Sequence, residues 1–170
     1  YKMFRVLIIF LFFIGSIKYI SAEIVDQIII KGNKRVSKET ILVYGKIKKK
    51  QDYSNSDINN ILKNLYSTNF FEDVEINLSN NILTINLKEY PIVNQLIILG
   101  EKSNNKKDQI RKILKLKEKK SFIKSYLSKD VDLIKSLYSS AGFNFAKIAV
   151  SQKVIDEDKI DLVFEIDRGE

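Results

Sequence analysis

The sequence predicts an α+β protein of two tandem β-α-α-β-β units, each a three-stranded sheet with two helices on one face. Three observations predict this. The phrase LYSTNFF at 65–71 returns as LYSSAGF at 137–143. The run IVDQIIIKG at 24–32 returns as IVNQLIILG at 92–100. Behind each LYS phrase, apolar residues alternate on both sides of a short polar turn, the pattern of a hairpin. The strand runs stand 68 residues apart (Val25 to Val93) and the LYS phrases 72 apart (Leu65 to Leu137), so one longer loop in the second copy reconciles them.

Each element follows from local chemistry. The β-branched run from Ile24 predicts a strand, and its near-continuous apolar character predicts burial. Gly32-Asn33 supplies turn chemistry. Ser37 is the expected N-cap of a helix over 38–44, with Gly45 as its stop. After the basic loop Lys48-Lys49-Lys50, Ser56 is the expected cap of a second helix. There Ile58, Ile61, Leu62, Leu65 and Tyr66 fall on one stripe of a 3.6-residue helix. Leu127, Val131, Ile134, Leu137 and Tyr138 form the matching stripe, and Gly142 ends that helix. The repeated phrase is thus the last helical turn, with Leu65 and Leu137 facing the core. Val74, Ile76 and Leu78 then alternate up to Asn80-Asn81, and Leu83, Ile85 and Leu87 alternate back. The second hairpin uses Ile148, Val150 and Val154, the turn Asp156-Glu157-Asp158, and Leu162, Phe164 and Ile166. The sole proline, Pro91, joins the copies without a Gly/Ser linker, which restricts their relative orientation.

Composition narrows the function. The 170 residues hold 29 Lys+Arg against 21 Asp+Glu and no His, Cys or Trp. Thiol chemistry, imidazole catalysis, Cys/His metal sites and disulfides are therefore excluded. The lysines are scattered or in loops, as expected where Lys, Ile and Asn are all abundant, and few arginines exist to read bases. At the N-terminus Arg5 precedes the apolar run 6–17, closed by Lys18 and followed by Ser21-Ala22, which predicts a signal peptide over 1–22. The run falls short of the ~20 residues of a spanning helix. Ile20, three positions before the expected cut, is an imperfect signal residue, so a retained anchor is the alternative. The units are then expected over 23–90 and 91–170, in an exported protein.

Two function classes are disfavoured by the residues themselves. Glu72 and Asp73 are neighbours on a strand and point to opposite faces, which is wrong for paired acid–base work. The acidic trio Asp156-Glu157-Asp158 sits in a turn, where Asp is common. No Gly-rich phosphate loop appears, so no enzyme activity and no cofactor are expected. Neither a GXXG loop nor an aromatic RNA-binding strand is present, so no nucleic-acid partner is expected.

The order of elements behind an export signal resembles the polypeptide-transport-associated (POTRA) family, in the form found in outer-membrane β-barrel assembly factors. The residues that carry the resemblance are Gly32-Asn33-Lys34-Arg35-Val36, LYSTNFFEDV at 65–74, Leu87-Lys88-Glu89-Tyr90-Pro91, LYSSAGF at 137–143, and the closing stretch 164–169. Glu101 departs from the pattern, since an Asn usually follows that glycine. The resemblance implies periplasmic domains that bind unfolded outer-membrane proteins and accessory lipoproteins and lead into a C-terminal membrane barrel. On that reading the chain is an N-terminal portion. It also implies binding by strand addition along the second strand of each unit: Val74, Glu75, Ile76, Asn77 and Leu78 in the first, and Ile148, Ala149, Val150, Ser151, Gln152, Lys153 and Val154 in the second. Lys147 and Lys153 there guard the edge against aggregation or steer acidic partners. An anchored division-type POTRA protein, or another translocase of the barrel superfamily, is the alternative within the family.

Overall fold

The computed structural model describes residues 24–169, so the expected signal segment lies outside the described residues. The first unit comprises β1 (Gln27–Lys31), α1 (Lys38–Gly45), α2 (Asn55–Ser67), β2 (Phe71–Ser79) and β3 (Ile82–Glu89). The second comprises β4 (Ile92–Leu99), α3 (Asn104–Ile113), α4 (Tyr126–Ser140), β5 (Lys147–Asp156) and β6 (Lys159–Asp167). The sheets have the order β1-β3-β2 and β4-β6-β5. In each, the last strand is central, parallel to the first and antiparallel to the second. The α+β class and the β-α-α-β-β order are as the sequence predicts.

Turn chemistry explains the hairpins and the strand ends. Asn80 and Asn81 both have positive φ (51° and 62°), as a two-residue hairpin turn matching the strand twist requires. Gly32 (φ 81°) and Gly100 (φ 77°) end β1 and β4 where the chain passes close to the central strand. A Cβ there would lie 2.0 Å from the Leu87 carbonyl oxygen and 1.9 Å from that of Ile166. The glycine shared by the two runs is therefore required by both sterics and dihedral.

Each unit has its own core. Ile30, Ile41, Ile61, Leu65, Phe71, Leu83 and Ile85 anchor the first; Ile98, Ile110, Leu116, Ile134, Tyr138, Leu162 and Phe164 anchor the second. β1 is less buried than its composition suggests. Only Ile30 is fully buried and Ile28 and Ile29 are partly so, because an edge strand under a single helical layer has one covered face.

Two helix boundaries depart from expectation. Ser54, not Ser56, caps α2. Its Oγ accepts from Asp57 N (3.2 Å), while Asp57 Oδ2 accepts from Ser54 N (2.9 Å), a capping box that outcompetes a serine two positions later. The serine also holds the Asp57 carboxyl below its ordinary value. Gly45 does not stop α1. It is the last helical residue, buried against Ile47, and Lys46 takes the left-handed conformation (φ 55°) instead.

The repeated phrase shows the most instructive difference. Leu65 is fully buried, but Leu137 is only partly buried, and Tyr138 goes inward in its place. Tyr66, conversely, is exposed. The positive-φ residues that close α2 and α4 are Asn69 and Gly142, 73 apart (142 − 69), not 72. One extra residue in the second copy therefore turns the helix by about 100° relative to the phrase. What repeats in space is Leu65 with Tyr138, and Phe70 with Phe143. Val154 is likewise not a core residue. It is 72% exposed, because β5 runs beyond the helical layer after Val150.

Candidate functional site

The residues expected to bind partners lie on two sheet edges. Val74, Glu75, Ile76, Asn77 and Leu78 belong to β2, and Ile148, Ala149, Val150, Ser151, Gln152, Lys153 and Val154 to β5. Both strands are terminal in their sheets. The opposite edges are partly occupied by the chain itself. Val25 N donates to Gln51 O and Lys50 N to Val25 O; in the second unit Val93 N donates to Lys120 O and Lys119 N to Val93 O. Leu96 N is taken by Glu118 Oε1 at 2.9 Å. The second basic loop thus acts as a short covering strand over the N-terminal half of β4, whereas the first pairs with the segment just ahead of β1.

The two remaining edges are unequal. On β2, Tyr66 Oη accepts from Val74 N (3.1 Å) and donates to Asp73 Oδ1 (3.1 Å), and Asp73 Oδ1 also accepts from Val74 N (3.0 Å). One outward N–H is already satisfied. The turned-out Tyr66 that the repeat misassigned to the core does this work. Sequence reasoning missed the pair; the signal was an aromatic hydroxyl in the last helical turn seven residues before an Asp at the strand start. Among the described residues, none caps β5 in this way. Beyond Val150 it is exposed on both faces, with Ile155 45% exposed beside Val154.

Register sets the direction of the β5 amides. Val74 lies opposite Leu87 and its N–H points off the sheet; Ile148 lies opposite Ile166 in the equivalent place. Alternation then directs the N–H groups of Ile148, Val150 and Gln152 outward, and those of Ala149 and Ser151 toward β6.

A second group of polar residues closes the end of each sheet. In the first unit the Glu89 carboxylate, 3% exposed, accepts from the backbone N–H of Lys34, Arg35 and Val36 and pairs with Arg35 Nε at 3.1 Å. In the second unit the carboxylate changes sides. Glu101, at the place of Asn33, accepts from Tyr138 Oη, Ser103 N and Arg168 Nη2, while Arg168 stands where Glu89 stood. Burial alone would raise the Glu101 carboxyl, but the Tyr138 hydroxyl, the Ser103 amide and Arg168 outweigh it and hold it below its ordinary value. Burial, then Glu101, raises the Tyr138 phenol. The departure at Glu101 noted in the sequence is therefore one half of a swapped ion pair.

Among the described residues, no group of three acidic side chains is placed to hold a metal ion, and no helix is long and apolar enough to cross a membrane.

Two consecutive helix-backed sheets of this order define a tandem POTRA architecture. A family model described as "POTRA: Surface antigen variable number repeat" matches residues 23–90 and again 91–169, and the chain belongs to that family. It is 30% identical over 156 residues to the outer membrane protein assembly factor BamA of Neorickettsia risticii, covering 91% of this chain and 20% of that protein. To BamA of Neisseria meningitidis serogroup B it is 26% identical over 148 residues, covering 85% and 18%. The chain thus spans about a fifth of the length of these curated relatives. The N-terminal domain of Omp85 from the cyanobacterium Thermosynechococcus elongatus shares the fold, with a TM-score of 0.53 at 12% identity over 83% of this chain and 61% of that one.

Proposed function

We propose that the chain is the periplasmic POTRA region of an outer-membrane protein assembly factor, and that it binds unfolded outer-membrane proteins by strand addition along β5. Accessory lipoproteins of the assembly machinery are its further partners, and a membrane barrel is the destination of the clients. The relatives, named as outer-membrane protein assembly factors, support the setting. The observation that carries the mode is the inequality of edges: a loop and Glu118 cover part of β4, Tyr66 and Asp73 cap β2 at Val74, β1 is only 5 residues long, and the 10-residue β5 is the longest edge among the described residues without such a cap. Strand addition binds through main-chain groups and so tolerates many client sequences. Outer-membrane strands supply the alternating pattern the mode needs.

Proline scanning tests it. Val150→Pro removes an outward N–H and spares the hairpin, so it should weaken a peptide copied from an outer-membrane strand by about tenfold or more while leaving the melting temperature nearly unchanged. Ala149→Pro removes a ladder bond to β6 and should lower the melting temperature. Amide shifts in NMR report the binding and thermal melts the fold. Unchanged binding by a folded Val150→Pro protein would rule out this edge.

A further inference from the structure

Between the two units lies a cleft of about 360 Å³. The first unit contributes Arg35 and Phe70 to it, and the second Lys115, Lys119, Lys120 and Tyr126; among the described residues, no acidic side chain lines it. Arg35 is already engaged, through Glu89 and through Nη2 to the Tyr90 carbonyl. The lysines are not. Among the described residues, no hydrogen bond or ion pair reaches Nζ of Lys119 or Lys120, and Lys115 Nζ only overlies the Tyr126 ring at 5.4 Å. Their position is fixed from the backbone. Lys119 adopts φ 61°, and the hydrogen bonds of Lys119 and Lys120 with Val93 hold the loop along β4. The equivalent loop in the first unit, with Lys50 at φ 56°, is held to Val25 in the same way. The second loop differs in facing another unit across an aromatic wall.

We propose that this cleft is a second partner site, which takes an acidic peptide segment carrying apolar side chains. Carboxylates would pair with Lys115, Lys119 and Lys120, while an apolar side chain rests on Phe70 and Tyr126. The three lysines are exposed, so salt screens each pair, and it is their convergence on one recess beside two aromatic rings that favours an acidic segment with apolar side chains. A planar anionic membrane is the poorer match, because the cations line a recess shared by two units rather than a convex face. The site is independent of the β5 edge, so failure of either reading leaves the other standing.

The probe is a fluorescent six-residue peptide alternating aspartate with phenylalanine, titrated against the whole chain. It should bind saturably and shift the amides of Phe70 and Ser121. Lys119→Glu with Lys120→Glu should weaken binding about tenfold. Lys49→Glu with Lys63→Glu makes the same change of charge elsewhere and should alter it less than about twofold. Circular dichroism verifies that both proteins remain folded. Equal weakening by both pairs, equal binding of an asparagine-for-aspartate peptide, absence of binding, or cleft shifts seen only with phosphatidylglycerol vesicles would each overturn the proposal.

Discussion

At the scale of single residues, burial and not sequence phrase decides what a substitution costs. Leu65→Ala removes a fully buried side chain and should cost about 2–5 kcal/mol, whereas Leu137→Ala, half-buried, should cost about 1 kcal/mol. Denaturant midpoints distinguish the two, and equal losses would mean that the phrase, not the helix rotation, sets the packing. The Glu101 cluster adds a pH dependence. The folded carboxyl lies below its ordinary value, so its stabilising contribution is present above 4.5 and fades as the pH falls through the folded value. Glu101→Gln should therefore flatten the acid limb of the stability profile, as read by melts between neutral pH and about pH 3. The sequence made Glu101 visible only as an oddity after a glycine. Its partners Tyr138 and Arg168 are 37 and 67 residues away, and no local pattern links them.

At the scale of elements, the strands were legible and the helix ends less so. Period-2 alternation located both hairpins, because each central strand has one face against the helices and register follows from the turn. Glycine runs located the ends of β1 and β4. The cap of α2 was not legible from serine alone, since Ser54 and Ser56 both precede the apolar stripe; the reciprocal bond with Asp57 decides between them. Ser54→Ala should then cost about 1 kcal/mol and Ser56→Ala less than about 0.5 kcal/mol, measured by chemical denaturation. The two open edges were nameable from topology, yet their inequality was not. It depends on Tyr66 standing outside the core, and the repeat predicted the reverse. A helix rotated by one residue leaves the apolar stripe almost unchanged in sequence, so periodicity alone does not distinguish the two orientations.

At the scale of the whole molecule, only Tyr90 and Pro91 separate β3 from β4. Lys34 Nζ reaches from the first unit to Glu157 (2.8 Å) and Asp158 (3.2 Å) at the tip of the second hairpin. These bonds, Glu157 first, raise the Lys34 ammonium above its ordinary value. The pair is exposed, so it orients the units more than it stabilises them, and salt screens it. Lys34→Ala should broaden the distribution of distances between spin labels on the two units at low ionic strength, and added salt should broaden the parent in the same way. Identical distributions for parent and variant would remove the ion pair from any role in orientation.

The parallel pairing of β1 with β3, and of β4 with β6, also has a mechanical consequence. A unit enters along one strand and leaves along its parallel neighbour, so tension applied through the chain slides these strands past each other lengthwise. Their hydrogen bonds then bear load together, unlike the β2–β3 and β5–β6 hairpins, which would peel open one rung at a time. β1 is 5 residues long and β4 is 8, so under slow stretching by optical tweezers the first unit should rupture at the lower force. A chain built this way gives way in order under load, its N-terminal unit first and its C-terminal one last.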